Sequence, residues 1–266
     1  MIDGLGIIIV TYNPDEKDFI GNINEYIDSS NNIVVVDNSK NPYVGESLIK
    51  YSNIEYICAG DNLGIAKAQN IGIEYLISQK VKYLLFFDQD SYLSTEQINS
   101  LMKSIEYLRT SHRVGIIAPG NDETSIKYTL EKEVISSGSL IPVEVLKDIG
   151  NMRDDFFIDF VDYEWCWRAR SKGYKVYSDN SVILSHQTDE PDKVVGKIVS
   201  KPFRDYYFYR NSIYLLKNGL MIDSKVMFIY KIIKHTVFEI FFCKNKLKRI
   251  KFITSGINDG INGKMN

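Results

Sequence analysis

The chain has 266 residues, 44% hydrophobic and 25% charged, with a formal net charge of -2. It is long enough to bury a large core, too apolar for a disordered chain, and lacks the basic excess that would point to nucleic acid. Three cysteines, Cys58, Cys166 and Cys243, form no CxxC pair, so neither a disulfide framework nor a zinc knuckle is expected, and a reducing cytoplasm fits. The N-terminal stretch MIDGLGIIIVTYNP has an acidic residue where an export signal would carry positive charge, and its apolar run is too short to span a bilayer.

Along the chain, GIIIV (6–10), NIVVVD (32–37), NIEYIC (53–58), KYLLFF (82–87) and VGIIA (114–118) are predicted strands. Most are apolar at consecutive positions, the pattern of strands buried on both faces of a parallel sheet. Helices are predicted at 15–28, 65–79 and 95–109, the third opened by a capping box of Ser94 and Gln97. This alternation implies an α/β fold, a mainly parallel central sheet flanked by helices on both faces. Beyond 111 the pattern loosens. SSGSLIP (136–142) reads as a turn, DYEWCWRARSKGY (162–174) as a helix ended by Gly173, and KVYSD with SVILSH (175–186) as two short strands. Residues 187–202 read as a polar loop long enough to act as a flap, and everything from Arg204 as a mainly helical C-terminal extension.

In open α/β sheets ligands bind beyond the carboxyl ends of the strands, and polar groups collect there: Thr11, Tyr12 and Asn13, then Asp37 and Asn38, then Asp88 and Asp90. Because Ser94 already caps the following helix, Asp88 and Asp90 are free for another task. Two hard carboxylates in a D-x-D pattern suit Mn²⁺ or Mg²⁺ shared with phosphate oxygens. Haloacid-dehalogenase phosphatases also use DxDx(T/V), but here Tyr92 stands in the last position and the motif follows the fourth strand. At the start of the second helix, Asn62, Gly64 and Asn70 suit a phosphate approached by free backbone N–H groups, or simply close packing. Asp159, Asp162 and Glu164 open a helix amid Phe156, Phe157, Phe160, Trp165 and Trp167, surroundings that would make a carboxylate a stronger base.

VTYN, VVVDN, DNLGIAKAQNIGI, FFDQDS, FIDFVDYEWCWRARSKGY, His186 and RDYYFYRN (204–211) together resemble the family 2 glycosyltransferases of GT-A fold, and FIDxVDxEW resembles their bacterial rhamnosyltransferase branch. The resemblance implies an inverting transfer from a nucleotide-diphosphate sugar, with dTDP-rhamnose favoured, to a saccharide acceptor carried on a polyprenyl diphosphate. It implies a nucleotide-sugar-binding half at 1–110, an acceptor and catalytic-base half at 111–203, and an appended helical segment at 204–266. Asp37 would contact the base, with Thr11, Tyr12 and Asn13 lining the same pocket. Asp88 would lie near ribose and metal, Asp90 would be the principal metal ligand, and His186 would complete its shell. Asp162 falls where the family places its base. Val161 replaces the acid many members carry just before it, which leaves Asp159 as a rival. Arg204, Tyr207 and Arg210 would meet the pyrophosphate.

Helical spacing at 224–243, with Asp223 as cap, puts Lys231, Lys234, His235 and Glu239 on one stripe amid aromatic and aliphatic residues. That helix either packs on the catalytic domain, pairs two copies, or lies on the inner membrane surface. Two other functions remain open from sequence, the metal-dependent phosphatase and a catalytically silent sugar-nucleotide-binding module.

Overall fold

The computed structural model describes residues 1–120, 124–186 and 193–265. Its first half repeats strand and helix: β1 (Leu5–Thr11), α1 (Glu16–Tyr26), β2 (Asn32–Asp37), a single turn α2 (Gly45–Leu48), β3 (Ile54–Cys58), α3 (Ile65–Ser78) and β4 (Tyr83–Asp88). The chain continues through β5 (Ser91–Tyr92), α4 (Thr95–Arg109), β6 (Val114–Gly120), β7 (Tyr128–Glu131), β8 (Leu140–Pro142), α5 (Val143–Ile149) and α6 (Val161–Ser171). After β9 (Lys175–Ile183) and β10 (Ser185–His186), a small hairpin of β11 (Lys193–Val194) and β12 (Lys197–Ile198) leads to α7 (Pro202–Asn218), α8 (Lys225–Phe242) and α9 (Lys246–Asn262).

Eight strands form one sheet in the order β3-β2-β1-β4-β8-β6-β9-β7. β1, β2, β3 and β4 run parallel; β8 is inserted antiparallel between β4 and β6, β6 and β9 are parallel, and β7 closes the edge antiparallel to β9. The apolar runs of β1, β2, β4 and β6 are buried on both faces, as expected for most of the strands, whereas β3 at the sheet edge leaves Glu55 and Cys58 exposed. Ile8, Val10, Leu84 and Phe86 point to the side covered by α3, α5 and α6. Ile7, Ile9, Leu85 and Phe87 point to the side where Phe19 and Ile23 of α1 meet Ile98, Leu101 and Ile105 of α4. Each such fully buried side chain contributes roughly 1.5–3 kcal/mol. The chain winds outward from β1 to β3 and then crosses back to β4, so β1 and β4 flank the point where strand order reverses. Register places Thr11 opposite Asp37 and Val10 opposite Asp88, at that one edge.

The structure departs from the sequence expectations at three places. The SSGSLIP turn contains β8, a strand of three residues too short to show periodicity. The two strands expected between 175 and 186 are largely one, β9, running through to Ile183. Ser224 rather than Asp223 caps α8, its hydroxyl accepting from Met227 N at 3.3 Å, while Asp223 pairs with Lys132 at 2.8 Å and with Lys231. Of the flap expected at 187–202, residues 187–192 lie outside the described residues.

The C-terminal helices are bound to the sheet domain through α7. Gly256 and Gly260 let α9 approach it closely, because a Cβ on Gly256 would lie 2.3 Å from the Tyr206 carbonyl oxygen. Deeper in, Arg249 Nη1 lies 2.9 Å from Asp205 and 2.6 Å from Glu239, all three buried. Asp205, His235 and Glu239 converge within 4.8 Å, but the Arg249 guanidinium already supplies the cation two buried carboxylates need. The cluster is therefore a clamp joining α7, α8 and α9.

Candidate active site

The turn after β1 is fixed to the turn after β4. Tyr12 N donates to Gln89 Oε1 at 2.7 Å, Asn22 Nδ2 donates to Gln89 O at 3.1 Å, and Asn13 N donates to Ser39 Oγ at 2.7 Å. Asn38 braces the neighbouring loop: its amide donates to Asn62 Oδ1 at 3.1 Å and its Oδ1 accepts from Leu63 N at 2.8 Å. Gly64 then opens α3 with φ +83°, and an added Cβ would sit 2.6 Å from Phe157 O, so only glycine fits. Together these groups bound a cavity of about 580 Å³ whose walls include Thr11, Tyr12, Asn62, Gly64, Asp88, Asp90 and Arg204.

A second cavity of about 380 Å³ adjoins it, lined by Gln69, Asp88, Ser136, Asp159, Asp162, Tyr163 and Arg204. Asp88 and Arg204 belong to both walls. A third, of about 350 Å³, shares Ile135 and Tyr163 with the second and is lined by Glu131, Glu133 and His186. The three form one trough across the strand ends.

Asp159 of the second cavity sits in a backbone under strain, in the loop that leads to Asp162. Phe157, Asp159 and Phe160 have φ of 62°, 64° and 67°, a region costly for residues with a Cβ. Two neighbours on α7 hold this loop. Asn211 Nδ2 lies 2.9–3.1 Å from the carbonyls of Phe156, Ile158 and Asp159, and Arg210 Nη2 donates to Asp155 O at 2.7 Å and Phe156 O at 3.0 Å. The loop delivers two carboxylates with different partners. Asp159 is paired with Arg204 at 2.5 Å. Asp162, in the first turn of α6, accepts from Tyr163 N at 3.0 Å and Ser136 N at 3.3 Å and has no cation partner among the described residues. Withdrawal from water pushes its carboxyl up to about 6 against the lowering effect of those N–H groups.

Asp88 is pushed up to about 7, first by desolvation, then by the charges of Asp90 and Asp162, with Arg204 opposing. Its backbone N donates to Ser137 Oγ at 3.0 Å. Two mutually repelling carboxylates on one cavity wall, with no cysteine in that wall, fit a hard divalent cation. His186 does not join them: among the described residues, Asp88, Asp90 and His186 do not bring one ligand atom each within 4.8 Å of one another. Its Nδ1 lies 2.8 Å from Ser91 Oγ, which donates to Asp90 Oδ1 at 3.3 Å, so β10 pairing with β5 leaves one hydroxyl between imidazole and carboxylate.

Thr11, Tyr12, Asn62, Gly64, Asp88, Asp90, Asp159, Asp162 and Arg204 are thus brought together as the sequence suggested. Others lie elsewhere. Arg210 is buried on backbone carbonyls, including Met265 O at 2.9 Å, and does not line the trough. Asn70 exchanges hydrogen bonds with Met152 N and O at 3.0 and 2.9 Å, tying α3 to the loop after α5. Asp37 is fully buried, its carboxylate accepting from Tyr56 OH at 2.7 Å and Ser39 N at 3.0 Å, and Asn13 likewise stands outside the cavity lining. Sequence reasoning missed Gln89, between the two acids, and the Ser136–Ser137 pair that supports Asp162 and Asp88. The run of serines before β8 was the available signal.

Residues 6–170 match the family model described as glycosyl transferase family 2. The chain is 31% identical over 281 residues to dTDP-rhamnosyl transferase RfbF of Shigella flexneri, covering 96% of this chain and 95% of that protein. It is 26% identical over 243 residues to the low-salt glycan biosynthesis hexosyltransferase Agl10 of Haloferax volcanii, covering 80% and 78%. Among solved structures, GalNAc-T7 with UDP, GalNAc and Mn²⁺ superposes with TM-score 0.63 at 12% identity, over 80% of this chain and 48% of that one. Staphylococcus aureus TarS 1–349 with UDP-GlcNAc gives 0.58 at 15% identity, over 98% and 81%. At such identities the structural likeness establishes the fold.

Proposed function

The chain belongs to glycosyl transferase family 2 and is a glycosyltransferase of GT-A fold, and from that premise we propose that it moves rhamnose from dTDP-rhamnose to a saccharide hydroxyl with inversion. The rhamnose donor is supported by the 31% identity with the Shigella flexneri dTDP-rhamnosyl transferase. For the acceptor we infer a saccharide carried on a polyprenyl diphosphate at the cytoplasmic membrane face, in cell-surface polysaccharide biosynthesis; a role in building glycans is supported by the likeness to a hexosyltransferase of glycan biosynthesis. One observation carries the mechanism: Asp88 and Arg204 stand on the wall between a large cavity and a smaller one holding the unpaired Asp162.

In this reading the nucleotide lies over Thr11, Tyr12, Asn62 and Gly64, with the sugar reaching past Asp88 into the smaller cavity. Asp88 and Asp90 would hold Mn²⁺ or Mg²⁺, whose charge stabilises the departing diphosphate. Arg204, already half-exposed on the shared wall, supplies a further positive group to those oxygens. Asp162 takes the proton from the acceptor hydroxyl. Its carboxyl near 6 is ionised at neutral pH yet a stronger base than an ordinary aspartate. Asp159 is the poorer candidate because Arg204 already matches its charge.

A panel of sugar nucleotides tests this with purified protein and lipid-linked saccharide acceptors. The reading expects dTDP release from dTDP-rhamnose to depend on the acceptor and to exceed UDP release from UDP-hexoses. Turnover with a UDP-hexose and none with dTDP-rhamnose would reassign the donor.

A further inference from the structure

We propose that the outer face of α8, with the start of α9, is a docking surface for an anionic lipid bilayer. α8 presents different groups on its two sides. Its inner side carries Phe228, Thr236, Glu239 and, just past its end, Cys243, packed toward α6, α7 and α9. Its outer side carries Val226, Tyr230, Ile233, Val237 and Phe241 at spacings of four, three, four and four, one helical stripe. All five are exposed, Val226 to 79% and Phe241 to 68%. A contiguous apolar stripe about 22 Å long marks an interaction site rather than scattered surface residues. Leu247, in the first turn of α9, is 86% exposed.

The charge around the stripe decides the occupant. Between Lys225 and Lys251 stand seven lysines and one arginine against one acid, Glu239, and Glu239 is buried against Arg249 on the inner side. Lys234, Lys244, Lys246, Lys248 and Lys251 are exposed. A second copy of this chain would bring two cationic rims together with no exposed acid in the segment to answer them. An anionic leaflet offers apolar depth for the stripe and negative charge for the rim. No helix among the described residues is long and apolar enough to cross a membrane, so α8 would lie in the interface plane. The surface is defined by the C-terminal helices alone and does not depend on the reaction assigned to the trough.

The test is flotation of the full chain with vesicles of phosphatidylcholine alone and of phosphatidylcholine containing 30% phosphatidylglycerol, at low and high salt, with sedimentation velocity on the same samples. We expect flotation on the anionic vesicles, reduced at high salt and by about fivefold for each lysine neutralised among Lys244, Lys246 and Lys248. Val237→Asp and Phe241→Asp should abolish it while leaving the circular dichroism spectrum unchanged. Both side chains are exposed, Val237 to 46% and Phe241 to 68%. Folded wild-type protein that stays unbound at low salt overturns the proposal. So does a dimer dissociated by Phe241→Asp without any vesicle binding, which would assign the stripe to a second copy.

Discussion

Replacing Asp162 by Asn should slow transfer strongly and, in the same variant, stabilise the fold. The carboxyl near 6 compares with 3.8 for an ordinary aspartate, a gap worth at most about 3 kcal/mol. Because the folded state raises this pKa, ionised Asp162 costs stability: the cost is absent below about 4, develops as pH rises from 4 through 6, and is complete above 6. Asn removes the charge, yet its single carbonyl oxygen cannot serve the Tyr163 and Ser136 N–H groups as well as two oxygens do, which returns about 1 kcal/mol. The net is a gain of about 1–2 kcal/mol at pH 8, a rise of several degrees in Tm, shrinking toward zero or slightly below at pH 4. Turnover should fall by about 10² to 10⁴, the usual contribution of a positioned base, and wild-type kcat/KM should rise with pH through about 6. Thermal unfolding across pH and initial rates with dTDP-rhamnose and acceptor measure both. Turnover within a few-fold of wild type, with Asp159→Asn inactive, would move the base to Asp159 and refute the reasoning from charge pairing.

Three further outcomes follow from the same structure. Dialysis against EDTA should stop transfer and added Mn²⁺ restore it, whereas full rate in stripped buffer would remove the cation from the account. Asn211→Leu should destabilise the protein by about 1–3 kcal/mol in a urea titration, because carbonyls at 156, 158 and 159 lose their donor. It should also lower kcat by releasing the strained loop that carries Asp159 and leads to Asp162. Arg249→Met should cost about 3–5 kcal/mol at pH 8 by leaving Asp205 and Glu239 uncompensated. That loss should shrink toward pH 5, since Asp205, pushed up to about 6 mainly by burial, takes up a proton there.

β1, β2 and β4 were legible because burial on both faces leaves an unbroken apolar run, and α4 because both halves of its capping box are side chains visible in sequence. β8 was not, since three residues between larger strands need only be apolar, and Ser-Gly neighbours read as a turn. In the site, Asp88, Asp90, Asp159, Asp162 and Arg204 were legible as charges placed at strand and helix ends. Arg210 and Asn70 carried the same signal for a different reason: a polar side chain that holds a backbone carbonyl looks, in sequence, like one that holds a ligand. Asp37 resembles a site carboxylate until Tyr56, on the neighbouring strand, is seen to cover it. The strain at 157–160 has no sequence signature, because none of its positive-φ residues is glycine.

In the proposed mechanism the trough has a nucleotide wall at Asp88 and Asp90 and a separate base at Asp162. Calorimetric titration of dTDP with Mn²⁺ into Asp90→Asn and Asp162→Asn tests it most directly. Asp162→Asn should bind dTDP as wild type does while failing to turn over, and Asp90→Asn should lose affinity at least tenfold. Wild-type affinity in Asp90→Asn, or loss of binding in Asp162→Asn, would contradict it.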